Sequence, residues 1–449
     1  MRPLKSLTMD AVIEHLRKTF EAIPDGRAAD QVLHGMADTL MSGFGMMFFQ
    51  HPSLLNFQRA QEKEHQRCNL QTIFKVRAVP SDTQMRVILD GAPTEPLRAT
   101  LPAWFAQMQR AGWVGQFRTG VPRKVAGQVS YTKTEEYYTV ALDGSEYFHS
   151  TAIQCPGCLR KTTAQGVVHY SHTVVSATLV KAGTPRILPL DAEEVRNTDG
   201  PEKQDCEINA GKRLIRRLRQ EHRQLKLIVT GDDLYAHEPF VDELTAWHMH
   251  YVLVAKPESH KELFEWVAGL ERQGLSEHGE WTEGPAGQRY TYQYRIVRQV
   301  PLSGARRHWV TFVEVWVYDR KQELCFHNSW VTDRAVDADN VQVIIGIGRS
   351  RWKIENEQFN VHKNHGYELE HNYGHGRKSL SMVFYLLNLL AFVAHLILEM
   401  GDRVYQQCRA EQSRKELWNI LRSAMHLVLV DSWQSLLLAY LNPGAARAP

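Results

Sequence analysis

The chain has 449 residues, of which 43% are hydrophobic and 23% charged, a globular balance that excludes disorder as the main state. Lys and Arg number 53 against 50 Asp and Glu, a net charge of +3, so any nucleic-acid surface must be local and not a general basic coat. Six cysteines in this length exclude a disulfide scaffold and point to a reducing, cytoplasmic compartment.

Residues 1–24 carry charges throughout and have no apolar run of the secretory kind. Residues 1–130 read as a helical N-terminal domain. In 10–23, Val12, Ile13, Leu16, Phe20 and Ile23 recur at helical spacing, with Asp10 as N-cap and Pro24-Asp25-Gly26 as stop. Further helices are expected over 28–49, 52–66, 81–90 and 96–111. Their basic residues (Arg59, Arg67, Lys75, Arg77, Arg86) either solvate a helical surface or face DNA.

The texture changes near Gly127, and residues 131–257 read as α/β. YYTVALD (137–143) and VVHYSHTVVSATLV (167–180) are strand-like, and 204–223 is a helix with a basic face (Lys212, Arg213, Arg216, Arg217, Arg219, Arg223). LKLIVTGD (225–232) is a strand, 238–247 a helix and 249–257 a strand, which together indicate a mixed sheet with flanking helices. Residues 258–339 read as a β-rich insertion with strands at 289–302, 308–320 and 323–333. A helix follows over about 340–363, then a segment rich in Gly, His and Tyr (364–378). The apolar run 379–400 is almost long enough to span a bilayer, but Asn388, His395 and Glu399 interrupt it, so a buried core helix is expected and no membrane partner. A last helix is expected near 411–440, in a C-terminal region 401–449.

Three acids carry the chemistry. Asp143 and Asp232 each close an apolar strand, at the edge where α/β folds form their sites. Either alone is also an ordinary Asp-Gly or Gly-Asp turn. The third lies in GRSRWKIENEQFNVHK (348–363). At about 100° per residue, Arg351, Glu355 and His362 fall within about 40° of one another, while Glu357 lies about 160° from Glu355. Trp352, Phe359 and Ile354 flank that stripe and anchor the helix on a core. Three such acids suit two Mg2+ ions, replaceable by Mn2+, with Arg351 and His362 as phosphate ligands.

ALDGSEYF (141–148), VTGDDLYAHEPF (229–240) and GRSRWKIENEQFNVHKNHGYELEH (348–371) resemble the three catalytic motifs of DDE-type bacterial insertion-sequence transposases. The resemblance covers about 135–400 and is to the cut-and-paste branch. It implies a ribonuclease-H-like core interrupted by a β-strand insertion, with residues 340–400 completing the core. It implies Asp143, Asp232 and Glu355 as catalytic, metal-binding acids; Asp232 is preferred to Asp233 because it stands three before Tyr235. In the last motif Arg351 and Glu355 match, while Gly348 and His362 stand where the family has Tyr and Lys, with Lys363 next door. The implied activity is strand cleavage and transfer on double-stranded DNA, at terminal inverted repeats and a target, by a homodimer in one synaptic complex. Arg349, Arg351, His362, Lys363 and Trp330 are the expected DNA contacts. A catalytically inactive DNA-binding derivative and a two-carboxylate glycoside hydrolase are the rival readings.

Cys155-Pro-Gly-Cys158, followed by His169 and His172, has zinc-ligand spacing within 149–172. Residues three apart on a strand face opposite sides, so either the strand starts after His172 or only one of the pair binds, with His149 as a further candidate. The alternative is a pair of reduced thiols on a turn.

Overall fold

The computed structural model describes residues 7–27, 32–62, 64–124, 132–200, 203–285 and 287–442. The expected texture change at Gly127 and the start of the 28–49 helix lie outside them.

Helices α1 (Met9–Glu21), α2 (Met36–Phe48), α3 (Leu54–Gln61), α4 (Glu64–Phe74), α5 (Asp82–Asp90) and α6 (Glu95–Arg110) open the chain. The cap of α1 is Thr8, whose side chain accepts from the Ala11 amide, so Asp10 sits in the first turn, where its charge favours the helix dipole. Strands β1 (Arg118–Lys124), β2 (Thr132–Ser150), β3 (Leu159–Thr162), β4 (Val168–Val180) and β5 (Leu188–Glu194) lead to α7 (Lys203–Glu221). Then come β6 (Leu227–Gly231), α8 (Glu238–Ala246), β7 (His250–Val254), α9 (Lys261–Arg272) and the strands β8 (Ser276–Glu283), β9 (Tyr290–Pro301), β10 (Trp309–Tyr318) and β11 (Leu324–Thr332). Helices α10 (Val341–Arg349), α11 (Asn360–Asn364), α12 (Leu380–Gly401), α13 (Arg403–Glu411), α14 (Arg414–Leu427) and α15 (Trp433–Leu441) finish the chain.

The strands form one mixed sheet ordered β3-β4-β2-β6-β7-β11-β10-β9-β8, with β1 beside β2 and β5 beside β4. β2, β6 and β7 are parallel, and the remaining pairs are antiparallel. The strands after residue 258 extend this sheet, because β11 pairs with β7 through Trp330–Val254, Val331–Leu253 and Thr332–Val252. β8 escapes a sequence reading: it is a sheet-edge strand with few apolar residues, so no hydrophobic alternation marks it.

α12 is long and apolar enough to cross a membrane, and 94% of that stretch is buried inside the protein. Its polar residues find partners there. His395 Nε2 donates to the Phe48 carbonyl at 3.0 Å and receives Tyr367 OH at Nδ1 (2.5 Å), and Asn388 donates to the Tyr367 carbonyl. Trp418 of α14 stacks on His395 at 3.9 Å and meets Phe48 at 4.9 Å, so the last helices pack on α2 and α12. The expected single helix at 411–440 is two helices, because the Val428-Leu429-Val430 run leaves the helical conformation and Ser432 caps a new start.

The basic face of α7 is turned largely onto carboxylates. Arg217 bonds Asp191 (2.5 Å) and Glu193 (2.8 Å), Arg213 bonds Glu193 and Asp199, and Arg98 of α6 reaches Glu193 at 2.7 Å. Glu193 is 2% exposed and Arg98 4%, so this network buries charge between α6, β5 and α7. Arg216 forks onto Glu243.

Candidate active site

The first acid is not at a strand end. β2 runs on past Asp143 to Ser150, because β4 pairs with it along that whole stretch. What ends near Asp143 is the parallel partner: the last β2–β6 pair is Ala141–Thr230. Asp143 and Asp232 each stand two residues beyond that pair, so the parallel register sets them side by side at the carboxyl end of β6. Asp232 is the N-cap of the short 3-10 turn Asp233–Ala236 and accepts from the Leu234 amide at 3.1 Å. Gly144, next to Asp143, is held small by α7: a Cβ there would stand 2.6 Å from Glu207 Oε1. Tyr235 OH donates to that same carboxylate at 3.1 Å. Glu207 is thus a fourth acid beside the site; it lies near the start of α7, outside the three motifs, so a motif search passes over it.

Arg351 joins the acids. Its Nη1 lies 3.1 Å from Asp143 Oδ2 and 2.5 Å from Glu355 Oε1. Burial pushes the Asp143 carboxyl up to about 8; Arg351 opposes that rise, and the charges of Glu355 and Asp232 add to it. Asp232 is also raised by burial against the pull of Arg351. Burial works against the Arg351 charge, but Asp143, Glu355 and Asp232 hold the guanidinium protonated. Three carboxylates around one guanidinium leave the pocket short of positive charge.

His362 does not share this face. Residues Ile354–Phe359 form a π-helix, whose wider turn absorbs about one extra residue and rotates everything after it by about 100° relative to an α-helix. His362 is 1% exposed, stacked 5.3 Å from Tyr367, and burial lowers its pKa to about 3. It is a core histidine, not a phosphate ligand. Lys363 pairs with Glu370 at 2.8 Å. Trp330 is fully buried, its indole nitrogen 2.4 Å from where a Cβ on Gly348 would sit, so it is not a free stacking surface. That contact also explains why glycine stands at 348. Trp352, expected against the core with Ile354 and Phe359, is 44% exposed, while the other two are buried.

The exposed Trp352 lines two cavities. With Arg349 and Arg351 it lines a cavity of about 310 Å3, and with Arg349, Arg118, Lys181 and Trp281 a larger cleft of about 860 Å3. Arg349 lies over Phe326 (4.8 Å) and bonds Tyr292 OH at 3.1 Å, and Tyr292 stacks on Trp281 at 4.6 Å. The two cavities share Arg349 and Trp352, and Arg351 of the smaller one bonds Asp143 and Glu355. Arg118, Lys181 and Trp281 come from separate strands and turns, and no local motif unites them.

Among the described residues two further groups could hold a metal ion: Cys155, Cys158, His172 and His375, all buried, and Asp233, His237 and His260. His169 is not in the first. It faces the other side of β4, where its Nδ1 contacts His149 Nε2 at 2.9 Å, and the strand begins at Val168. His375, from the Gly/His/Tyr segment, takes its place. In the second group Asp233 accepts from the Lys256 amide at 2.6 Å and from the Ser259 hydroxyl, which ties it to the loop after β7. Asp232 is left as the acid acting on Arg351. No family model matches the chain, and no curated protein matches it.

Proposed function

We propose that the protein is a DNA strand transferase of the DDE transposase class, with a ribonuclease-H-like core formed by β5, β4, β2, β6 and β7. The observation that carries this reading is that Asp143 and Glu355 both bond Arg351, while the β2–β6 register sets Asp232 beside Asp143. The order of those five strands, three antiparallel followed by two parallel to β2, supports it.

The donor set is all oxygen, which suits Mg2+ or Mn2+, and the surplus negative charge around Arg351 is what a cation would offset. Asp143, Asp232 and Glu355 would hold two such ions. Bound there, the metal would supply Lewis-acid activation of water or a 3′-hydroxyl and stabilise the leaving oxygen. Arg351 would hold a phosphate oxygen once its carboxylates are engaged elsewhere. Arg118, Lys181, Arg349 and Trp352 would track the strand along the cleft through charge and stacking. The N-terminal helices would bind terminal inverted repeats, and two copies would pair the ends.

The test is cleavage of the DNA that flanks this gene, with Mg2+ or Mn2+, by the wild type and by Glu355→Gln. Metal-dependent nicks at discrete ends, lost in the variant, are the expected result. Binding of that DNA without cleavage by the wild type would instead make the protein a non-catalytic DNA-binding derivative.

A further inference from the structure

We propose that Cys155, Cys158, His172 and His375 bind one structural Zn2+, and that this ion pins the joint between the sheet, the N-terminal helices and α12. The four side chains come from three places: the Pro-Gly turn after β2, strand β4, and the segment just before α12. Cys158 and His375 are 217 residues apart in sequence.

Five of the six distances between the ligand atoms are close to the edges of a tetrahedron. With Zn–S about 2.3 Å and Zn–N about 2.0–2.1 Å, the edges of a regular site are about 3.8 Å for sulfur–sulfur, about 3.3 Å for nitrogen–nitrogen and about 3.6 Å for the mixed pairs. Here the two Sγ atoms are 3.8 Å apart, and the two Nε2 atoms 3.2 Å. Three of the four mixed pairs are 3.4 Å (Cys155–His172), 3.6 Å (Cys158–His172) and 3.2 Å (Cys158–His375), and Cys155–His375 lies within 4.8 Å. Sulfurs 3.8 Å apart are not a disulfide.

The surroundings orient the ligands. His375 Nδ1 donates to the Gly376 carbonyl at 3.1 Å, which turns its Nε2 to the sulfurs, and His172 Nδ1 lies 3.3 Å from Glu194 Oε1 without a hydrogen bond to it. Asn197 Nδ2 donates to the carbonyls of Pro156 (2.7 Å) and Cys158 (3.0 Å) and holds the turn in shape. Four protein ligands close the shell, which marks a structural and not a catalytic ion. The position explains its use. Phe148 packs 4.4 Å from the His375 ring, and the adjoining amides of Arg377, Lys378 and Leu380 all donate to Asp90 of α5. The ion therefore locks the segment between the third acid and α12 onto both neighbours.

The experiment is metal analysis of the full-length protein purified under reducing conditions without added metal, followed by Co2+ exchange. The expected results are about one zinc per chain and, with cobalt, a tetrahedral d–d spectrum with a thiolate charge-transfer band. Cys158→Ser and His375→Asn should each lower zinc content to roughly a tenth or less, while His169→Asn should keep it. Zinc retained in His375→Asn, an octahedral cobalt spectrum, or a metal-free wild type with two titratable thiols at 155 and 158 would each overturn the proposal. The wild-type spectrum decides the matter even if a variant fails to fold. None of these readouts involves DNA, so the result stands apart from the strand-transfer reading.

Discussion

The acid cluster and the Cys/His cluster adjoin the same strand, yet they are built on opposite principles. Around Asp143, carboxylates crowd one arginine, and Glu355 is half exposed. Around Cys158, four soft or neutral ligands converge where all are buried. The first arrangement opposes folding, since like charges are pressed together in a partly desolvated pocket, and it is partly open to solvent. The second is closed and has no room for one. A site that stores electrostatic repulsion is suited to work on a ligand; a site that closes its own coordination shell is suited to hold chain segments together.

Substitutions should separate the two. The largest effect expected is on activity: Asp143→Asn should lower metal-dependent strand cleavage by about 10^3-fold or more while leaving the thermal midpoint unchanged or higher, because it relieves the crowding. A midpoint that falls by several degrees would mean that the acids serve the fold. Next, the network on Glu193 is a buried cluster whose charges are already matched. Glu193→Ala should cost about 3–5 kcal/mol in urea unfolding, because Arg98, Arg213 and Arg217 are left short of a partner. A loss under about 1 kcal/mol would show that water reaches those guanidinia.

Smaller still, Gly348→Ala forces a methyl group onto Trp330 and should cost about 1–3 kcal/mol, with a shift in tryptophan fluorescence. Unchanged stability would mean that α10 slides freely. The smallest is a pH effect. Burial, reinforced by Arg219, holds His222 neutral with its pKa lowered to about 4. Stability is then full above the ordinary histidine value and is lost as pH falls through it toward 4. On this ground His222→Phe should remove on the order of 1 kcal/mol of the loss between pH 7.5 and 6. An unaltered slope in that variant would assign the loss to other groups.

Most helices and most strands are legible because their apolar residues repeat at 3.6 or 2, but α4, α13 and α9 are not among those expected, and α9 lies inside the stretch read as β-rich. Val12, Leu16 and Phe20 are buried on α1 as that repeat requires, and 379–400 forms one buried helix. The three acids were legible because each sits in a local motif. His362 was misplaced because a regular 100° step cannot foresee a π turn, and β8 was missed because an edge strand needs no apolar face. The α7 arginines read as a solvated or DNA-facing surface, since nothing local reveals that Asp191 and Glu193 wait opposite them.

What the sequence by itself determined is therefore most of the longer elements and a short list of candidate residues within them: Asp143, Asp232, Glu355, Arg351 and the Cys-x2-Cys turn. The tertiary structure alone decided their company. It set Asp143 beside Asp232 through the β2–β6 register, brought His375 to the cysteines in place of His169, and gathered Arg118, Lys181 and Trp281 into a groove. The physical reason is range. Periodicity and caps act over one or two turns of chain, whereas ligand shells and charge networks are fixed by which faces pack together, and that depends on every element at once.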